Sequence, residues 1–125
     1  MKLRINKGNT LRIRMSQTEA NELASTGKVE EVLNFGKATL VYTVESSSDE
    51  SVSVDFKDNI VLITVNNSII NKWYNSDQVG FETTIPLPDG KSFYVLVEKD
   101  YKCLTKRPNE DESDLFENPL EKHKD

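Results

Sequence analysis

The stretch LRINKGNTLRIRMS, residues 3–16, contains two short runs of alternating apolar and polar residues on either side of a Lys-Gly-Asn turn. Alternation with a period of two is typical of strands that bury one face, so the sequence predicts a β-hairpin at the start of the chain. Pairing Ile5 with Leu11 buries the apolar residues together. The same register sets two pairs of cations opposite each other: Arg4 with Arg12, and Lys2 with Arg14.

A helix is predicted directly after this hairpin. Ser16 begins the tetrapeptide SQTE, in which Glu19 follows three residues later. A serine and a glutamate at this spacing form a capping box, where the hydroxyl and the carboxylate bind free backbone amides at the helix start. Gly27 is placed to end the helix, which predicts a helix over residues 17–26.

The order strand, strand, helix, strand, strand occurs twice along the chain. At a spacing of 50 residues, Lys7 and Asn9 correspond to Lys57 and Asn59. The apolar positions of the first helix also have counterparts in the second half: Ala20, Leu23 and Ala24 correspond to Ile70, Trp73 and Tyr74. This correspondence favours packing in the core over an exposed aromatic platform for the last two residues. Shared periodicity of this kind indicates an internal repeat.

We therefore predict an α+β fold of about eight mostly antiparallel strands and two short helices. Two pseudo-repeated hairpin-helix-hairpin halves, residues 1–45 and 51–104, form a curved sheet or a partly open barrel within one globular domain, residues 1–104. Residues 105–125 contain more acids than bases and few apolar residues, and are predicted to be an acidic, disordered tail.

The cations of the first hairpin need an explanation in a chain of net charge −5. Like charges opposite one another destabilise a strand pair, so an anion is expected nearby. One explanation is a glutamate on a neighbouring strand, for which there are four candidates: Glu30, Glu31, Glu45 and Glu98. The other is that the cations Lys2, Arg4, Arg12 and Arg14 bind an anionic ligand or an acidic partner. The corresponding strand of the second half has Leu62 and Thr64 in place of the two strand arginines, so the binding face is placed in the first half.

Composition excludes several classes of protein. The content of 36% hydrophobic and 30% charged residues is typical of a water-soluble domain, and no apolar run approaches the roughly 18 residues of a membrane span. We expect a cytoplasmic protein without a signal peptide. Neither a metal site nor a cofactor is predicted, because the chain has a single cysteine, Cys103, and a single histidine, His123. Cys103 is interpreted either as a reactive thiol or as a buried filler residue.

The segments MKLRIN and NTLRIRMS at the start, with VGFE and VLVEKDYKCL near the end, resemble a family of short bacterial proteins of unknown function. The resemblance spans nearly the whole chain. It implies a self-contained domain and no particular activity, cofactor or catalytic residue.

Two functional hypotheses remain open. The first is a non-catalytic binding module that uses the basic face of the first hairpin, or self-associates through its sheet edges. The second is an enzyme or sensor for a phosphorylated small molecule, in which the arginines point into a barrel. Nucleic-acid binding is disfavoured because the helix over residues 17–26 contains no lysine or arginine.

Overall fold

The computed structural model describes residues 1–102 and 111–119. These residues form eight strands and two helices. In chain order the elements are β1 (Lys2–Asn6), β2 (Thr10–Met15), α1 (Gln17–Thr26), β3 (Lys28–Asn34), β4 (Thr39–Ser47), β5 (Ser53–Lys57), β6 (Ile60–Asn66), α2 (Asn67–Tyr74), β7 (Gly80–Pro86) and β8 (Ser92–Lys99).

The first hairpin and the first helix confirm the local predictions. β1 and β2 pair antiparallel with Ile5 opposite Leu11 and Arg4 opposite Arg12. The Ser16 hydroxyl accepts a hydrogen bond from the backbone amide of Glu19, whose carboxylate accepts one from the Ser16 amide. Gly27 ends the helix in the left-handed conformation, at a φ of 86° that favours glycine.

The strands form two four-stranded sheets, with the orders β1-β2-β8-β7 and β3-β4-β6-β5. We call the first sheet A and the second sheet B. Each sheet contains one hairpin from each half of the chain, and its two central strands run parallel: β2 with β8, and β4 with β6. The predicted α+β fold of two pseudo-repeated halves is thus confirmed, as two separate sheets that are not closed into a barrel.

The hydrophobic core lies between the two sheets and beneath the two helices. Ile13 and Val97 from sheet A and Val44 and Ile63 from sheet B are all fully buried. Trp73 of α2 is fully buried as well, and its indole N–H donates to the Val79 carbonyl oxygen at 3.0 Å. The prediction that this tryptophan packs in the core is therefore confirmed.

The helices and the hairpin turns lie at opposite ends of the molecule. α1 joins the end of β2 to the start of β3, and α2 joins the end of β6 to the start of β7. Since β2 runs parallel to β8 and β4 runs parallel to β6, the two hairpin turns of each sheet lie at the same end of that sheet. The helices connect the two sheets at the opposite end, so all four turns lie together at the end away from the helices. We call this end the turn end.

The two halves differ in their first turn. Three residues, Lys7 to Asn9, connect β1 to β2, whereas two residues, Asp58 and Asn59, connect β5 to β6. Asp58 and Asn59 both have positive φ values, 52° and 64°, which is typical of a two-residue hairpin turn. Corresponding residues of β2 and β6 are therefore 50 positions apart, as predicted. Corresponding residues of β1 and β5 are one position further apart, because the first turn is one residue longer.

Residues 111–119 lie against the domain, although the sequence favoured disorder for this region. The Phe116 amide donates to the Asp100 carbonyl at 2.8 Å, and the Phe116 carbonyl accepts from the Lys102 amide at 2.7 Å. The Asp114 carboxylate accepts hydrogen bonds from the backbone amide and hydroxyl of Thr18 at the start of α1. This contact fits a helix start, where free amides and the dipole favour an anion. The predicted boundary at residue 104 lies outside the described residues and stays a prediction.

Candidate functional site

The predicted cationic residues of the first hairpin lie on the outer face of sheet A. On β2, Arg12 and Arg14 alternate with Leu11, Ile13 and Met15, which face the core. The arginine side chains are 25% and 42% exposed. Because they point away from the space between the sheets, the hypothesis of inward-facing arginines in a barrel is wrong. We call Lys2, Arg4, Arg12 and Arg14 together the outer basic face.

Glu98 of β8 forms ion pairs with both arginines of β2. Its Oε1 atom accepts a hydrogen bond from Arg12 Nη2 at 2.6 Å and another from Arg14 Nε at 2.8 Å. Burial raises the pKa of the Glu98 carboxyl, but the hydrogen bonds and positive charges of both arginines outweigh it and bring the pKa below its ordinary value. One of the four glutamates considered from the sequence therefore provides the expected anion.

Gly80 of β7 leaves room beside this carboxylate. It lies opposite Glu98 in the strand register. A Cβ atom at Gly80 would approach the Val97 carbonyl oxygen to 2.6 Å and the Glu98 Cβ to 2.9 Å, which is closer than van der Waals contact. A side chain at this position would therefore displace the strand that carries the carboxylate.

The two residues of β1 in the outer basic face differ in their pairing. Lys2 Nζ lies 2.8 Å from the buried carboxylate of Asp100. Arg4 makes no ion pair with any residue of the described ranges, 1–102 and 111–119. The Nε atom of Arg12 is buried and has no hydrogen-bond acceptor among these residues. A buried guanidinium N–H without an acceptor is energetically costly. Because this atom is covered by protein, it is exposed Arg4 that is accessible to an external anion.

A second candidate site is an apolar cleft between the two sheets at the turn end. Its volume is about 510 Å³, within the range of small-molecule sites. The first hairpin contributes Leu3, Ile5 and Leu11, and the facing sheet contributes Phe56 and Val61. We call it the inter-sheet cleft. The inner face of the first hairpin, which the sequence indicated only as core, therefore lines an open cleft at its outer end.

The mouth of the cleft exposes large apolar side chains. Ile5 is 80% exposed and Phe56 is 65% exposed, although their strand positions face the same side as buried Ile13 and Ile63. Leaving such side chains in water costs burial energy of roughly 1.5–3 kcal/mol each. The sequence indicates this site by an apolar residue at a core-facing strand position directly beside the turn. This pattern occurs in the β1-β2 hairpin and in the β5-β6 hairpin.

A second charged cluster surrounds the Met1 ammonium at the helix end of the molecule. The Met1 ammonium contacts the Glu19 and Glu31 carboxylates, and the Tyr42 hydroxyl donates to the Met1 carbonyl oxygen. Burial lowers the pKa of this ammonium, but the two carboxylates outweigh it, so the pKa is raised above 8.0. The sequence did not indicate this contact because it brings together Met1 and residues of α1, β3 and β4.

The other predicted features are placed as follows. Cys103 lies outside the described residues. Within residues 1–102 and 111–119, no group of three or more His, Cys, Asp or Glu side chains is arranged to hold a metal ion. Neither described helix has the length and apolar character needed to cross a membrane.

The fold and these sites define a class of small α+β domain in which two interleaved halves build two sheets around a shared core. The chain belongs to DUF7009, a family of unknown function, whose sequence profile matches residues 1–120. The resemblance to a family of unknown function is thereby confirmed. Comparison with curated proteins gave no match, and neither did comparison with solved structures.

Proposed function

We propose that this chain is a non-catalytic binding module whose first hairpin holds an apolar ligand in the inter-sheet cleft. The observation that carries the proposal is the open apolar cleft of about 510 Å³ between hairpins from both halves. Ligand sites in proteins are concave and mostly apolar, with few polar groups. Here the polar lining residues are few, and Asn9 already donates to the Ser92 carbonyl oxygen at 3.0 Å.

The location of the exposed apolar residues supports the same function. Scattered apolar side chains are normal on a protein surface, but Ile5 and Phe56 lie together at the mouth of the inter-sheet cleft. A ligand that covers both residues recovers apolar burial that the free domain lacks. At the helix end of the core Met15, Leu23 and Trp73 are fully buried, so we expect ligands to enter from the turn end.

Nile red, a neutral dye that fluoresces in apolar surroundings, tests this proposal. We expect saturable fluorescence with the wild-type protein and its loss in Val61→Trp, because the larger side chain fills the cleft. The matched control is Val32→Trp, which adds the same side chain at an exposed position. Circular dichroism reports whether each variant is folded.

Two results would contradict the proposal. One is wild-type protein that leaves Nile red fluorescence unchanged. The other is a folded Val61→Trp variant that binds the dye as well as the control does. If Val61→Trp does not fold, Phe56→Ser provides the test, since this residue is 65% exposed and its replacement leaves the core intact.

A second candidate function is binding of an anionic ligand or an acidic protein surface on the outer basic face. It is favoured by exposed Arg4, which has no ion pair among the described residues, and by Arg12 and Arg14, which share a single carboxylate. A thermal-shift titration with polyphosphate at low and high salt tests it. Stabilisation that fades with salt and is lost in Arg4→Gln, but not in Lys28→Gln, supports this function, whereas no shift of the wild-type protein contradicts it.

A further inference from the structure

We infer that the partner at the inter-sheet cleft is a second copy of this chain, which docks with its turn end against the turn end of the first. This inference rests on the proposed function, because it names the occupant of the same cleft. In a dimer with two-fold symmetry, each copy supplies one cleft and covers the cleft of the other. Such an interface uses the same surface on both copies and closes at two subunits.

The first observation is where the exposed apolar residues lie. Within residues 1–102 and 111–119, seven large apolar residues are exposed. Five of them lie in a hairpin turn or within two residues of one: Ile5, Leu33, Phe35, Phe56 and Ile60. Single apolar residues are normal on a protein surface, whereas a concentration at one end indicates an interaction surface.

Four of these five residues adjoin the inter-sheet cleft. Ile5 and Phe56 line it directly. Leu33 lies opposite Leu40, which also lines the cleft, and Phe35 begins the turn that follows this pair. The cleft and the exposed residues around it therefore offer apolar surface from both sheets to one partner.

Phe35 gives this surface an apolar side chain that complements the cleft. It is 67% exposed and does not line the cleft of its own copy. Its turn is held by two hydrogen bonds, from the Gly36 amide to Asn34 Oδ1 at 2.8 Å and from the Phe35 amide to the Ala38 carbonyl oxygen at 2.9 Å. An aromatic residue on an ordered turn loses little conformational freedom when it is buried against a partner. One chain thus supplies both an exposed ring and an apolar cleft, and a second copy supplies the complement of each.

The area of this surface agrees with a weak dimer. The four residues beside the cleft are between 51% and 80% exposed. Taking about 200 Å² for a fully exposed large apolar residue, together they expose roughly 500 Å². Two copies therefore bury on the order of 1,000 Å² from these residues, which is about the minimum for a specific interface.

The charges at the turn end favour a second copy over a strongly charged partner. Six charged residues lie in the turns or within two residues of them, and Asp55 lines the cleft. The six are Lys7, Lys37, Lys57, Lys91, Asp58 and Asp89. With Asp55 these are four positive and three negative charges, all exposed and none in an ion pair within residues 1–102 and 111–119. Arg4 and Arg12 lie one residue further from the first turn and belong to the outer basic face. Nearly balanced charges neither repel a second copy strongly nor attract a partner of one sign.

Sedimentation equilibrium over a range of protein concentrations tests the inference. We expect a reversible equilibrium between monomer and dimer with a dissociation constant in the micromolar range, because the interface is small. Phe35→Ser should raise this constant by about tenfold or more, since each dimer loses the burial of two rings.

The matched control is Val79→Ser, which removes an exposed apolar side chain far from the turns and should dimerise like the wild-type protein. Circular dichroism reports whether each variant is folded. If Phe35→Ser does not fold, Ile5→Ser provides the test, because Ile5 is 80% exposed and lies on another hairpin.

Nile red reports whether the dimer covers the cleft. The dye bound per wild-type chain should fall as the protein concentration rises through the dissociation constant, and should stay constant over that range for Phe35→Ser. If the wild-type protein dimerises without losing dye, the dimer leaves the cleft open and the inference is overturned.

The other failures are distinguishable. A wild-type protein that stays monomeric overturns the inference; if it binds Nile red, the proposed function stands with a small apolar molecule as the ligand, and if it does not, both fail. A dimer that Phe35→Ser retains as fully as Val79→Ser does uses another surface and also overturns the inference.

Discussion

Replacing Glu98 with glutamine removes the charge that holds Arg12 and Arg14 together on the outer face of sheet A. The glutamine keeps the size of the side chain and one acceptor oxygen. It loses the negative charge that both guanidinium groups contact, at 2.6 and 2.8 Å. We expect Glu98→Gln to lower the free energy of unfolding at neutral pH.

The size of the effect follows from the exposure of the groups. A hydrogen bond to a charged group contributes about 1.5–3 kcal/mol when it is shielded from water. Glu98 is 12% exposed and Arg12 is 25% exposed, so the hydrogen bond between them keeps most of that stabilising energy. Arg14 is 42% exposed, so its bond to Glu98 contributes about as little as a surface ion pair. With one neutral acceptor retained, we expect a loss of about 2 kcal/mol, or about 8 °C in Tm for a chain of this size.

Urea denaturation followed by Trp73 fluorescence measures the loss, and its pH dependence identifies the cause. The pKa of Glu98 is lower in the folded protein than its ordinary value of 4.5. Its stabilising contribution is therefore present above pH 4.5 and is lost as the pH falls through the folded-state pKa. The difference between the wild-type protein and Glu98→Gln shrinks in that acidic range.

Glu22→Gln is the matched control, because it removes the same charge from an exposed position on α1. It should change the free energy of unfolding by no more than about 0.5 kcal/mol. If Glu98→Gln is no more destabilising than this control, the two arginines are solvated and the carboxylate does not stabilise the sheet. A loss that persists unchanged at acidic pH would also refute the electrostatic explanation.

Three further perturbations test other contacts. Gly80→Ala should destabilise the domain by about 1–3 kcal/mol in a urea titration, because its Cβ would lie 2.6 Å from the Val97 carbonyl oxygen. Phe116→Ala should speed limited proteolysis within residues 111–119, since the ring packs on the core; equal cleavage rates would show that the hydrogen bonds suffice. Glu31→Gln should be most destabilising below pH 8.0 and progressively less so as the pH rises through the raised pKa of the Met1 ammonium. A difference independent of pH would exclude that ion pair as the cause.

Local features of the fold were predictable from the residues. Leu3 to Met15 alternate so regularly that only one register buries their apolar side chains, and the structure has that register. Ser16, Glu19 and Gly27 set the bounds of α1 through short-range hydrogen bonds and a left-handed backbone. The burial of Trp73 followed from its correspondence with Leu23 in the repeat.

The candidate sites were only partly predictable. The charge pattern showed that Arg4 and Arg12 need an anion, and named Glu98 among four candidates. It did not show which glutamate is nearest, because this depends on β2 pairing with a strand from the other half of the chain. The inter-sheet cleft left no periodic signal, since Ile5 and Phe56 have the same pattern as core residues.

The sequence by itself thus determined the elements, their buried faces and the two-fold repetition, because these depend on interactions between residues close along the chain. The tertiary structure alone decided that the halves interleave into two sheets, that the arginines face outward against Glu98, and that the hairpin ends leave an open apolar cleft. These features depend on contacts between residues far apart in the chain. A period of two shows which face of a strand is buried and does not show which strand lies beside it.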